Sequence, residues 1–259
     1  MSKIKNIFLG SIPFLVVGIG WWIIHTFSIF PRWIIPSPVK TVQVFVDLVT
    51  NGTLLELAWA SLQNALIGFV LALIVALILG VLIGIFPIAR KIFLPFLSAI
   101  YVVPSLAWLP LIVLVLGFTA SAIICVIFLS SFKKIIYNVI AGVRGVSNSW
   151  ILAGKNIGLS RMQIITKIVL PAALPQTVTG IRMGFGNAWR SLVGAEMLVA
   201  GTAGLGRFIW AAQWFFDFEK VFAGIIIIAL IGVLAEQLIF RRLEDKTLVA
   251  WGFIREEES

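Results

Sequence analysis

Hydrophobic residues run along this chain in long blocks at roughly 7–30, 60–86, 93–116, 119–140, 172–200 and 220–240, separated by short polar joints. Each block reaches about 20 residues, the length a helix rising 1.5 Å per residue needs to cross a hydrocarbon layer of about 30 Å. The pattern predicts an all-α polytopic membrane protein with about six transmembrane helices. The first block follows a basic start like that of a signal peptide. It is longer than a signal core and lacks a small-residue cleavage site, so it reads as a retained first span. One stretch breaks the pattern: 150–171, WILAGKNIGLSRMQIITKIVLP, is polar and basic. Its helix-forming run, the interruption at Gly158 and the closing Leu170-Pro171 predict a short helix presented to a partner in the cytoplasm.

The apolar blocks differ in detail. The second carries Gly68, Gly80 and Gly84, and Gly80-x-x-x-Gly84 permits close helix approach, either within the subunit or at a dimer seam. Pro95, Pro104 and Pro110 remove backbone donors from the third, which is expected to kink or break. Such a break is either structural or lines a pathway. The fifth concentrates Pro171, Pro175, Gly180, Arg182, Gly184, Gly186, Asn187, Arg190, Gly194 and Glu196. A charge facing lipid at mid-membrane costs roughly 2.5–3.5 kcal/mol on insertion scales, so Arg190 and Glu196 are expected to face protein or water. Six positions separate them, about 240° around an ideal helix, which argues against an intrahelical pair. Arg182, near the cytoplasmic end, has room to snorkel. These residues, with Pro104 and Asn187, are either structural or line the translocation route.

Composition agrees with membrane insertion: 61% of residues are hydrophobic and 12% charged, against about 45–50% and about 25% in soluble domains. The spans consume the length, so residues 1–259 are read as a single transmembrane domain. The lone Cys125 excludes an internal disulfide and reads as a small buried hydrophobe. The net charge of +9 is resolved by topology. With the N-terminus cytoplasmic, the inner segments hold Lys3, Lys5, Arg90, Lys91, Lys133, Lys134, Arg144, Lys155, Arg161, Lys167, Arg241, Arg242, Lys246 and Arg255. The outer segments hold Arg32, Lys40, Arg207 and Lys220, leaving Arg182 and Arg190 within a span. This positive-inside bias puts both termini in the cytoplasm and removes nucleic acid as the reason for the charge. Trp21, Trp22, Trp33, Trp108, Trp150, Trp210, Trp214 and Trp251 fall mostly near span ends, where amphipathic rings settle.

Catalytic chemistry is sparse. His25 has no ligand-type neighbours at metal spacing, no G-x-x-x-x-G-K-[ST] loop occurs, and Gly204 and Gly206 open no strand-to-helix unit. Neither paired carboxylates nor a Ser/His set is visible. Transport without a catalytic site, metal or cofactor of its own is what remains.

The 150–171 stretch resembles the cytoplasmic loop signature of permease subunits of binding-protein-dependent ABC importers: E-A-A, three residues, G, nine residues, I, one residue, L-P. Ala153, Gly158, Ile168, Leu170 and Pro171 stand at those spacings, while Leu152 replaces the usual glutamate and Gly154 the second alanine. The likeness extends over nearly the whole chain. Pro36-Ser37-Pro38, Ser61-Leu62, Val103-Pro104, Pro110-Leu111, Gly142-Val143 and Leu170-Pro171-Ala172-Ala173-Leu174-Pro175 are similar to the nitrate, sulfonate, taurine and bicarbonate branch. So are Thr179-Gly180-Ile181-Arg182, Ala188-Trp189, Ala195-Glu196-Met197-Leu198 and Gly204-Leu205-Gly206, whereas Ser130-Ser131-Phe132-Lys133-Lys134 departs from that branch's aromatic-proline run.

The resemblance implies the ABC importer type I permease fold in a bacterial inner membrane. It implies a second copy of the chain, two cytoplasmic ATP-binding subunits that hold ATP and Mg, and an external solute-binding protein. The coupling loop spans about 144–171. Its short helix, Ile151, Leu152, Ala153, Gly154, Lys155, Asn156 and Ile157, is expected in a cleft of the ATPase, followed by Gly158, Arg161, Leu170 and Pro171. The solute is expected to be small and anionic. The remaining alternatives are a secondary transporter and a membrane scaffold or enzyme.

Overall fold

The computed structural model describes residues 3–31 and 34–241. Arg32, Trp33, Arg242, Lys246, Trp251 and Arg255, named above for topology, lie outside the described residues. The elements are α1 (Lys3–Thr26), α2 (Pro38–Thr50), α3 (Thr53–Ile85), α4 (Pro87–Val102), a 3-10 turn (Ser105–Trp108), α5 (Leu109–Leu116), α6 (Ala120–Arg144), α7 (Asn148–Asn156), α8 (Arg161–Ile164), α9 (Leu170–Leu198), α10 (Leu205–Trp214) and α11 (Phe218–Ala235). π-helical segments join α8 to α9 (Ile165–Val169) and extend α11 (Glu236–Arg241).

Among the described residues four helices are long and apolar enough to cross a membrane: Thr53–Ile85, Ala120–Arg144, Arg161–Leu198 and Phe218–Ile239. A fifth unit is the pair Pro87–Val102 and Ser105–Leu116, bent by 91° at its break. Helix α1, 24 residues long, occupies the first block, and within it Leu15–Thr26 is a shorter apolar helix, so four to five spans stand among the described residues where about six were expected. The proline-rich block is sharply broken at one of its prolines. Pro95 sits inside α4 and Pro110 in the first turn of α5, where a missing N–H costs nothing. Pro104 forces Val103 into extended backbone (φ −76°, ψ 123°), and α4 ends there.

Two boundaries are corrected. The coupling stretch does not close at Leu170-Pro171: helix continues from Arg161 to Leu198. The π-helical turn before Pro171 gives the reason, because it loosens the ladder where the proline lacks an N–H and its ring crowds the preceding turn. At 38 residues this rod is about 57 Å long, so its first turns project beyond the bilayer. Helix α2, with Pro38 in its first turn and Thr41 and Leu48 buried seven positions apart, is a further helix that the apolar blocks did not reveal.

Helix α6 is the central post, packed between α3 and α9. Glycines make both contacts close. A side chain at Gly80 or Gly84 of α3 would meet Val139 or Val143 of α6 at under 3 Å, and one at Gly180 or Gly184 of α9 would meet Asn138 or Ile135. The small-residue pair Gly80-x-x-x-Gly84 therefore serves packing within the subunit, not a dimer seam. The C-terminal end of α1 is tied down by Trp21, whose indole donates to the Pro36 carbonyl at 3.0 Å, and by His25, 3.2 Å from the Ile35 carbonyl.

Candidate functional site

Two polar centres sit among the apolar helices of the described residues, and the loop at 147–164 makes a third candidate surface. The first centre lies at the broken span. Lys133 and Lys134 are counted in sequence among the inner loop charges, and the structure corrects this: both lie in mid-α6, about 15–21 Å from either helix end. The inner bias falls to twelve against four and keeps its sign. Lys133 is only 8% exposed and donates through Nζ to the Val103 carbonyl at 2.7 Å, the acceptor released where α4 stops before Pro104. Lys134 donates to the Tyr101 hydroxyl at 2.6 Å, its ammonium 4.7 Å from that ring's centroid. Ser191 of α9 donates to Ser130 of α6 at 2.8 Å. Together with Pro104, Ser105 and Asn187 these residues surround a cleft of about 210 Å³. Among the described residues no carboxylate pairs with either lysine.

Helical spacing extends this centre into a stripe. Ser130, Lys133, Lys134, Tyr137 and Asn138 follow the three-and-four rhythm that puts side chains on one face of α6. Ser98 lies 3.1 Å from the Tyr137 hydroxyl, and Gln176 donates to Asn138 at 2.8 Å. Gln176 in turn borders a second cavity with Gly145, Ser147 and Trp150 at the start of the coupling loop. The stripe thus links mid-membrane to the loop.

The second centre is closed. Glu196 near the end of α9 is 0% exposed. Its carboxyl oxygens accept from Ser61 Oγ of α3 at 2.9 Å, and Oε2 also accepts from the Gly206 N–H at 2.9 Å. Ser61 Oγ accepts in its turn from the Leu205 N–H at 2.9 Å. The carboxyl and hydroxyl therefore satisfy backbone donors that the first turn of α10 would leave orphaned, and pin that turn to α3. A Cβ at Gly204 would fall on the carboxyl, and one at Gly206 on the Val193 carbonyl. Glu196 faces protein, as its burial cost demands, and it is enclosed between helices instead of lining an open surface.

The remaining residues of the expected route divide between these surroundings. Pro104 and Asn187 border the lysine cleft. Arg190 is exposed in the single chain and donates to Asn187 at 3.3 Å. Arg182 pairs with Glu236 beyond α11 at 2.5 Å instead of snorkelling unpartnered, and the pair borders a groove between α9 and α11. Tyr101, Ser130, Lys133, Lys134 and Ser191 were missed in sequence; the α6 rhythm was a signal for Ser130, Lys133 and Lys134, while Tyr101 of α4 and Ser191 of α9 join them only through the fold.

The loop is built by local capping. Ser147 accepts from the Ser149 N–H and starts α7, nine residues long. Gly158 adopts φ +79°, the Gly158 N–H bonds the Lys155 carbonyl and the Leu159 N–H the Gly154 carbonyl, both at 3.0 Å, which is the Schellman ending. Helix α8 restarts on a capping box: Ser160 Oγ accepts from the Gln163 N–H, and the Gln163 side chain accepts from the Ser160 N–H. Gly154 faces the restarted helix, and a Cβ there would sit 2.6 Å from the Ile168 terminal methyl, so glycine replaces alanine where Ile168 fills the space. Arg161 stacks over Phe86 at the α3–α4 turn, 5.3 Å to the centroid. Ile151 is half-buried, while Ala153, Lys155 and Asn156 are exposed, as are Trp150 (53%), Leu152 (55%) and Ile157 (77%). Where a glutamate is usual, the surface is apolar.

Known proteins can now be set beside this geometry. The chain is 32% identical to the taurine transport system permease protein TauC of Escherichia coli, with 91% of this chain and 86% of that protein aligned. It is 34% identical to the putative aliphatic sulfonates transport permease protein SsuC of Bacillus subtilis, over 93% of this chain and 86% of the relative. Its fold is that of a chain of the MetNI methionine ABC transporter in inward-facing conformations, with a TM-score of 0.62 at 19% identity over 75% of this chain and 95% of that one. The model of the binding-protein-dependent transport system inner membrane component family matches residues 68–247. An α-helical membrane chain with a capped loop helix and this match over most of its length belongs to that family of ABC transporter permeases.

Proposed function

We propose that the chain is the membrane permease of an importer, working as a homodimer with two cytoplasmic ATP-binding subunits and an external solute-binding protein, and carrying a small oxyanion. The observation that carries this reading is the α7 helix, fixed at both ends and presenting Trp150, Leu152 and Ile157 outward. An exposed apolar surface on a rigid nine-residue helix fits a partner cleft. With Leu152 where an acidic contact is usual, docking rests on apolar burial and helix shape, flanked by Lys155 and Arg161. ATP and Mg belong to the partner subunits, both termini are cytoplasmic, and residues 1–259 act as one membrane unit. When the ATPases close, α7 moves as a rigid lever on the long rod 161–198, and the spans rock between outward-open and inward-open arrangements. The chain supplies differential contacts in the two states and no catalysis. Sulfonate carriers among the relatives and the cationic centre in α6 support an anionic solute.

The test is assembly followed by uptake. A P-loop ATPase is expected to co-purify in mild detergent, and vesicles holding the assembly are expected to take up solute only with ATP and the binding protein. A β-branched residue at φ +79° costs about 1–3 kcal/mol locally, so Gly158→Val is expected to insert normally yet recover about tenfold less ATPase. Normal ATPase recovery and normal transport by that variant would contradict docking through this helix.

A further inference from the structure

We infer that the cleft between the α4 break and the middle of α6 and α9 is a binding station for the oxyanion head group of the transported solute, with Lys133 and Lys134 as its cationic floor. The inference rests on the importer reading for the word transported, and on the geometry for the site itself.

The cleft presents donors to an incoming oxygen from three separate segments. Lys134 reaches Tyr101 and Lys133 reaches the Val103 carbonyl, and both of these partners are neutral. Each ammonium carries three N–H groups, so one hydrogen bond to a neutral acceptor leaves donors and a full positive charge over. The hydroxyls of Ser130 and Ser191 and the amide of Asn187 complete the wall. Two adjacent cations in mid-membrane with no carboxylate partner among the described residues repel one another, and an anion between them relieves both the repulsion and the desolvation. A lysine whose work ended at capping α4 would need no second lysine beside it, no serine pair across the gap and no open volume. The space, about 210 Å³, takes a head group of a few heavy atoms. The same turn holds Trp108, whose indole N–H is the one buried side-chain polar group without a hydrogen-bond partner among the described residues. The geometry selects by charge and by oxygen acceptors: a sulfonate or a planar oxyanion meets several donors at once, whereas a neutral or cationic solute of the same size meets two ammonium groups. The polar stripe from Lys134 through Tyr137 and Asn138 to Gln176 gives such an anion a route on toward the cytoplasm.

The experiment measures saturable binding of radiolabelled methanesulfonate to the nanodisc-held transporter, alongside ATP-dependent uptake of the same probe into vesicles. Lys134 is the residue to change, because Lys133 also caps α4. Lys134→Gln is expected to weaken binding about tenfold or more and to raise the KM for uptake equally, and Lys134→Arg to stay within about threefold of wild type. Ser191→Ala, a milder change, is expected to weaken binding about threefold. Binding that is absent in the wild type, or equal in the wild type and Lys134→Gln, overturns the site. ATP-dependent uptake of a neutral or cationic solute in place of methanesulfonate overturns it too while leaving the importer standing. Binding that behaves as expected in a preparation without ATP-dependent uptake upholds the site and removes the importer reading.

Discussion

Glu196 and Lys134 are both ionisable side chains set among apolar helices, yet their surroundings are opposites. Around Glu196 the accounting closes: Ser61 and Gly206 donate to the carboxyl, Ser61 also serves Leu205, and Gly204 leaves room for nothing between. Around Lys134 it stays open, with the Tyr101 phenol standing in for an anion, as the Val103 carbonyl does for neighbouring Lys133, and a cleft alongside. A buried group whose bonds are all made within the chain holds helices together. One with donors left over beside a cavity is waiting for something else. An ionisable group among apolar helices therefore reads as architecture in one place and as recognition in the other.

That contrast can be broken experimentally, beginning where the effect is largest. Glu196→Ala strands the Gly206 N–H and the Ser61 hydroxyl at the α10 turn, and two buried unsatisfied donors at about 1–3 kcal/mol each predict a loss of roughly 3 kcal/mol, seen as a clear drop in thermal stability in detergent. Gly204→Ala drives a methyl group into the same carboxyl and is expected to cost about 1–3 kcal/mol in the same assay. Lys134→Gln should shift stability by no more than about 0.5 kcal/mol, because it removes a partly exposed charge and no backbone partner, while its uptake defect is the larger one. Arg190→Gln is expected to raise the uptake KM only about threefold, since Arg190 reaches the cleft through Asn187 and carries no contact of its own there. Anion uptake unchanged in that variant would take Arg190 off the route.

How much of this was legible in the chain depends on how local the signals are. The loop helix is written in consecutive residues, and Gly158 marked its end, but it begins at Asn148, three residues before the expected Ile151, because the Ser147 cap and the Ser160–Gln163 capping box were not read as signals. The continuation of helix through Pro171 does not follow from sequence, because a π-helical turn absorbs a proline that normally ends a rod. Glu196 announces that it must face protein, but its partner Ser61 lies 135 positions away, and only folding names it. The lysine centre is assembled from the end of α4, the middle of α6 and α9. Its one local trace, the polar rhythm from Ser130 to Asn138, is hidden when Lys133 and Lys134 are counted as loop charges. Composition and span pattern fix the class of protein; the polar exceptions acquire meaning only when distant segments meet.

The most direct test sets the two centres against each other in one assay, the KM of ATP-dependent methanesulfonate uptake by vesicles carrying the whole transporter with Lys134→Gln or Glu196→Gln. The account predicts a KM raised about tenfold for Lys134→Gln, and an unchanged KM for Glu196→Gln, whose defect appears only as less folded protein. A KM that moves with Glu196 and stands still with Lys134 would contradict it.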